Sequence, residues 1–262
     1  MQRLSIVIVV KNGAKVIGET IRSFSGLTDD VVVYDNGSAD DTKEIVGQTN
    51  AKLVEGVWEG FGKTRNKATA LAKYDWILSL DADEAIDEQL KNSLLKLELA
   101  DEKKVFEFRF KNFLGNKWLR FGEWGDDKHI RLFNRKKIRW NDAEVHETLQ
   151  LPADVKVIRV PGFVLHKTAA SYQEFENKME HYAMLNAEKY FKQQKSSGPF
   201  RGFFSASFSF VKNYFLKLGF LDGVTGYQCA RINARYTFLK YKKLTQLNQQ
   251  AAISRSQTSK TS

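Results

Sequence analysis

Residues 4–24, LSIVIVVKNGAKVIGETIRSF, decide the fold: a β-rich apolar run at 4–10 breaks at Lys11, Asn12 and Gly13, then yields to helical spacing through Val16, Ile17, Thr20, Ile21 and Phe24. A near-continuous Val/Ile run is what a strand buried on both faces requires. The strand, turn and helix unit then recurs. Residues 31–34 (VVVY) end in Asp35, Asn36, Gly37 and Ser38, ahead of a helix carrying Ile45 and Val46. Residues 52–54 offer a third strand, Gly60 and Gly62 precede a helix over 63–72, and residues 75–80 form the next strand. This alternation predicts a parallel sheet covered on both faces. Ligands of such sheets bind at the carboxyl ends of the strands, which is where Asn12, Asp35 and Asp81 fall.

The fourth unit, residues 76–84 (WILSLDADE), ends in two carboxylates spaced i, i+2. In extended chain, residues two apart share a side, so Asp81 and Asp83 are candidates to hold one hard cation and, through it, a diphosphate. The plainer alternative is that Asp83 or Asp87 caps the following helix, over 87–97. Beyond that helix the alternation stops. Strand candidates at 105–110, 130–133, 144–149 and 155–160 give a mixed second half, and helix returns over 171–194. Residues 200–241 are aromatic and basic, and from Gln246 the polar composition predicts disorder.

At 262 residues, 42% hydrophobic and 27% charged, the chain has the composition of a globular protein with one catalytic domain plus extras. No apolar run approaches the roughly 20 residues that span a bilayer. The short strand at 4–10 lacks a cleavage signal, and the single cysteine, Cys229, leaves no intrachain disulfide or Cys/His zinc cluster. Together these predict a cytosolic location. The net charge of +10 is uneven: from Lys189 onward thirteen Lys/Arg face one acid, Asp222, while the preceding residues carry about −2. A segment of that kind suggests an anionic partner, either nucleic acid or membrane headgroups.

Two chemistries are excluded by the turns. A dinucleotide fingerprint needs Gly-X-Gly-X-X-Gly after the first strand, and the chain has Lys11, Asn12, Gly13, Ala14. A P-loop ending in Gly62, Lys63, Thr64 would need glycine at 57, which is Val57. What does match, in order and spacing, is a set of four motifs: LSIVIVVKN at 4–12, VVVYDNGSADDT at 31–42, GFGKTRN at 60–66 and WILSLDADE at 76–84. They resemble the family 2 glycosyltransferases of GT-A fold. HIRLF at 129–133, the Val145, His146, Glu147 triplet and FLKLGFLDGVTG at 215–226 are similar to the bacterial subgroup that adds glucose to the lipopolysaccharide inner core.

The resemblance implies an α/β fold of GT-A type, a Rossmann-like mixed sheet with flanking helices and a C-terminal helical extension. The expected division is a donor half at 1–100, an acceptor and catalytic-base half at 101–195, a basic aromatic extension at 196–245 and a tail at 246–262. The implied reaction is inverting, metal-dependent transfer of a hexose, glucose from UDP-glucose, to a lipopolysaccharide-core or other lipid-linked or glycan acceptor. A nucleotidyltransferase of similar core and a noncatalytic basic protein binding membrane or nucleic acid are the rivals. The first would want a Gly-rich, Arg-containing loop after strand one. The second would not need Asp35, Asp81, Asp83 and Glu147 together.

Residue by residue, the match implies Asp83 as holder of Mn²⁺ or Mg²⁺, with Asp81 sharing the ion or touching the ribose. His166 is a third metal-ligand candidate, against an ordinary structural histidine. Asn12, Asp35, Lys63 and Arg65 are donor contacts, although Asp35 also suits a plain turn before Asn36 and Gly37. The base that takes the acceptor proton is sought among Asp126, Asp127, Asp142, Glu144, His146 and Glu147. The family's His-Glu pair favours Glu147, with His146 orienting it or the acceptor. Trp118, Phe121 and Trp124 fall where an acceptor loop is expected, and core aromatics would explain them nearly as well.

Phe204, Phe208, Val211, Phe215 and Leu218 recur at helical spacing, with Lys212 and Lys217 off the stripe. Two outcomes stay open: a helix packed on the catalytic domain, or an element lying on an anionic membrane surface at the cytoplasmic face of the inner membrane. No nucleic-acid partner is expected.

Overall fold

Strand β1, Ser5–Val10, alternates between two cores as an interior strand must: Ile6, Ile8 and Val10 face one apolar cluster and Val7 the other. A computed structural model describes residues 1–142, 147–198 and 200–258, with side chains to 252. The chain forms two compact units, Met1–Lys111 with Asp127–Lys167, and Asn112–Asp126 with Thr168–Ser262.

The first unit carries β1, α1 (Ile17–Ser23), β2 (Val31–Asp35), α2 (Thr42–Gly47), β3 (Lys52–Glu55), α3 (Phe61–Ala70), β4 (Trp76–Asp81), β5 (Glu84–Ile86) and α4 (Glu88–Leu95). It also holds most of β6 (Lys104–Leu114) and β9 (Lys156–Ala169), and all of β8 (Lys128–Asn134), counting strands in chain order with β7 at Lys117–Leu119. Its strand order is β3-β2-β1-β4-β8-β6-β9-β5. The first four strands are parallel, as the alternation predicts. From β4 onward the sheet turns antiparallel: Ile77 opposes Phe133 of β8, and Glu84 opposes His166 of β9. The sheet is mixed, as expected.

One face buries Leu78, Leu80, Phe106 and Phe108 with Ile17 of α1 and Leu90 of α4; the other buries Val32, Ile77 and Phe133 with Ala68 of α3. Helix α4 is capped by Asp87, whose side chain accepts from Leu90 N at 2.8 Å, so the capping role falls to Asp87 and not to Asp83. After β2 the chain reverses through Gly37 at φ +81°, a conformation that favours glycine.

In the second unit β7 pairs with the end of β6 across Gly115, and α5 (Tyr172–Lys192) and α6 (Arg201–Val211) pack along α7 (Gly223–Thr258). Helix α5 starts where the sequence indicates, with Ser171 Oγ accepting from Glu174 N at 3.2 Å. Leu114, Leu119, Ala169, Phe175, Cys229 and Ile232 form the core. Trp124 packs edge-on against Phe175, with centroids 5.8 Å apart, so this member of the expected acceptor loop is a core aromatic. The stripe at 204–218 is not one helix: α6 gives way to a π-turn at Lys212–Leu216, then a 3-10 turn at Gly219–Asp222. Helix α7 continues to Thr258, past Gln246, where the polar composition predicts disorder. Among the described residues no helix is long and apolar enough to cross a membrane.

Burial pushes the Cys229 thiol up to about 12, with the Asp222 charge adding to it. A thiol so far from ionising is a poor nucleophile. Iodoacetamide should therefore leave Cys229 unmodified until the chain is unfolded in guanidinium; labelling of the native protein at a free-thiol rate would contradict this packing.

Candidate active site

The site lies at the carboxyl ends of β1, β2 and β4. Asp81 is the last residue of β4, and Ala82 and Asp83 form the turn into β5. Thr20 of α1 pins that turn by donating to Ala82 O at 2.7 Å. The two aspartates are therefore joined by a turn and not by continued extended chain. Asp81 faces two guanidiniums: Arg65 of α3 at 2.5 Å and Arg131 of β8 at 3.4 Å. Asp83 is placed instead by the pairing of β5 with β9, its carbonyl accepting from Lys167 N and its carboxylate 3.4 Å from His166 Nε2.

Arg65 is the hub. Its side chain is almost buried, its Nε donates to Glu147 at 3.0 Å, its Nη1 to Ser79 Oγ at 3.3 Å, and its guanidinium lies 4.9 Å from the centre of the Trp140 ring. Arg131 is also paired with Glu84, whose side chain is only 2% exposed. Breaking a buried pair of this kind costs about 3–5 kcal/mol, so Glu84 serves Arg131 and is not free for a ligand.

Burial would raise the Asp81 carboxyl, but Arg65 and Arg131 outweigh it and hold the group well below the usual carboxylate range. Burial pushes Glu84 up, opposed by Arg131. Burial likewise works against the charged form of Arg131, yet Glu84 and Asp81 more than restore it. Arg131 stays protonated and Asp81 stays ionised.

Beside Asp81 opens a cavity of about 350 Å³, within the range of small-molecule sites. Val9 and Val10 supply its apolar lining, Lys11, Arg65 and Asp81 its charged groups, and Asn36, Trp58 and Phe61 the remainder. Trp58 and Phe61 meet edge to face with centroids 4.6 Å apart. Asn36 is buried, and its side-chain Oδ1 has no hydrogen-bond partner among the described residues. A buried acceptor in that state wants a donor.

The expected residues divide accordingly. Arg65, Asp81 and Glu147 come together, with Asp83 and His166 adjoining them. Asp35 does not line the cavity: it is fully buried, and its carboxylate accepts from Gly37 N at 3.1 Å, Ser38 N at 2.9 Å and the Ser38 hydroxyl. Here the plain turn is what forms. Asn12 likewise holds loops together, its Oδ1 accepting from Ala39 N at 2.9 Å. Lys63 is exposed on α3 and does not line the cavity. Among the base candidates, Asp127 pairs with His129 at 2.8 Å, and Asp142 is exposed. Glu144 and His146 lie outside the described residues. Lys11, Asn36, Trp58, Phe61, Glu84 and Arg131 escape the sequence reading. Of these, Trp58 and Phe61 carry a usable signal, two aromatics bracketing the glycine that starts α3.

A divalent cation is tested by the donor set. Among the described residues no three His, Cys, Asp or Glu side chains form a ready metal cage. Yet two guanidiniums face four carboxylates, those of Asp81, Asp83, Glu84 and Glu147. Asp83 and His166, whose carboxylate oxygen and Nε2 lie 3.4 Å apart, offer one oxygen and one nitrogen donor of the kind a divalent ion takes. Such an ion keeps water and phosphate oxygens as its other ligands, so the residues fit.

Residues 5–149 match the family described as glycosyl transferase family 2. An uncharacterized glycosyltransferase of Rickettsia typhi, RT0209, is 27% identical over 95% of this chain and 88% of its own length. The lipopolysaccharide core biosynthesis glycosyltransferase LpsC of Rhizobium meliloti is 24% identical over 93% of this chain and 92% of its own. The crystal structure of S. aureus TarS residues 1–349 in complex with UDP aligns over 95% of this chain and 92% of that one, at 16% identity and a TM-score of 0.47. With more than half its length matched to one family, and with the mixed sheet and strand-end site described above, the chain belongs to the family 2 glycosyltransferases of GT-A fold.

Proposed function

We propose that the chain is a metal-dependent inverting hexosyltransferase that moves glucose from UDP-glucose to a lipopolysaccharide-core or other lipid-linked acceptor. The observation that carries this reading is the cavity whose charged end, Arg65 with Asp81, adjoins the Asp83–His166 pair. Trp58 and Phe61 provide faces for a nucleobase, and the unpartnered Asn36 Oδ1 an acceptor for a base N–H. Lys11 and Arg65 face the diphosphate. Asp83 and His166 would hold a divalent ion, which would supply a Lewis acid for the leaving diphosphate. Glu147 takes the proton of the acceptor hydroxyl as its oxygen bonds to the anomeric carbon and the bond to the diphosphate breaks. Arg65 fixes the orientation of Glu147 through the 3.0 Å bond. The lipopolysaccharide acceptor is supported by the likeness to LpsC over nearly its whole length, and the inverting course by the family resemblance.

A thermal-shift panel of nucleoside diphosphates, with and without Mn²⁺, tests the reading. UDP with Mn²⁺ should raise the melting midpoint more than UDP alone, and ADP should not. A preference for another base, or no response to the metal, would overturn the donor assignment.

A further inference from the structure

We propose that residues 200–221 of the second unit form a docking face for an anionic lipid bilayer. The surface inverts the usual order of burial. Phe204, Phe208, Val211, Phe215 and Leu218 all face solvent, and Phe200 and Leu216 extend the patch at 72% and 68% exposure. The groups turned inward are polar: Asn213 is 3% exposed and Asp222 7%. Asn213 Nδ2 donates to Ser209 O at 3.0 Å, and the Asp222 carboxylate accepts from Arg120 N at 2.9 Å and Phe121 N at 3.0 Å. Gly202 is buried where α6 meets Phe238 and Tyr241 of α7. Asn213 and Asp222 anchor the turns that follow α6, and α6 itself meets α7 through Gly202 and through Phe210, edge-on to Tyr227 at 5.9 Å, which leaves Phe204 and Phe208 outward. Solvent-facing apolar surface of this extent marks an interaction site.

Charge selects the occupant. Arg201, Lys212 and Lys217 fall within the same stretch, which holds no acid, and the residue after it, Asp222, is buried under two backbone N–H groups. From Lys189 onward the segment carries +12. A second copy would bring cations against cations. An anionic bilayer satisfies both features, taking phenylalanines at the headgroup boundary and lysines or arginines at the phosphates. The contact is interfacial, as no described helix can cross. It does not depend on the glycosyl-transfer reading.

Sedimentation of the full chain with vesicles tests the proposal. Wild type should pellet with phosphatidylcholine–phosphatidylglycerol vesicles and much less with phosphatidylcholine alone. The Phe204→Ser, Phe208→Ser, Phe215→Ser triple variant should lose ~1,000-fold in partition coefficient, since each buried phenylalanine contributes roughly tenfold. Its melting midpoint should hold, the three side chains being exposed. Lys212→Glu with Lys217→Glu should weaken binding to anionic vesicles only, which keeps the test decisive should the triple variant unfold. Equal pelleting of wild type and both variants would overturn the proposal. So would a lipid-free wild-type dimer, seen by sedimentation velocity, that the triple variant dissolves.

Discussion

Asp83→Ala should lower kcat by at least about 10²–10³-fold at saturating donor and Mn²⁺, the scale on which removing one element of transition-state electrostatics acts. The side chain is a quarter exposed and lies 3.4 Å from His166, whereas its contribution to the sheet is made by its backbone carbonyl, which accepts from Lys167 N at 3.0 Å. Alanine keeps that bond, so the variant should fold and still bind UDP. It should lose the extra stabilisation that Mn²⁺ gives in the presence of UDP. Near-normal turnover would show that the diphosphate charge is neutralised elsewhere, with Lys11 and Arg65 the first groups to suspect.

Glu147→Gln should reduce kcat by about 10²–10⁴-fold, the usual yield of a positioned general base. The expected signature is a split between kinetic constants. Glu147 accepts from Arg65 Nε at 3.0 Å and does not line the donor cavity; removing its charge leaves the guanidinium with Asp81 as its remaining carboxylate. The KM for donor should stay level or fall while kcat collapses. A variant that raised donor KM and left kcat intact would recast Glu147 as a donor contact and send the search for the base elsewhere.

The parallel half of the molecule was legible because its signals are local. The apolar runs of β1, β2 and β4, each followed by turn residues, fix strand ends without reference to distant chain, and Asp81 follows from them. Arg131 and Glu84 were not legible, because each gains meaning from antiparallel pairing across long separations: β8 beside β4, and β5 beside β9. The same pairing, and not strand alternation, sets Asp83 beside His166. Asp35 is legible locally: the turn residues at 36–38 predict the bonds that its carboxylate accepts from Gly37 and Ser38. Periodicity found the aromatic stripe at 204–218 but carries no information on which side of a helix faces out, since that depends on Asn213 and Asp222 finding polar partners inside.

The two guanidiniums at the end of β4 are fixed by protein carboxylates before any substrate arrives. Ordering a free arginine side chain costs about 1.5–2 kcal/mol in conformational entropy. Here that loss is taken when the chain folds, so a ligand entering the cavity would meet Arg65 already at rest, and under the proposed glycosyl transfer more of its intrinsic binding energy would be left to act on the bond being broken.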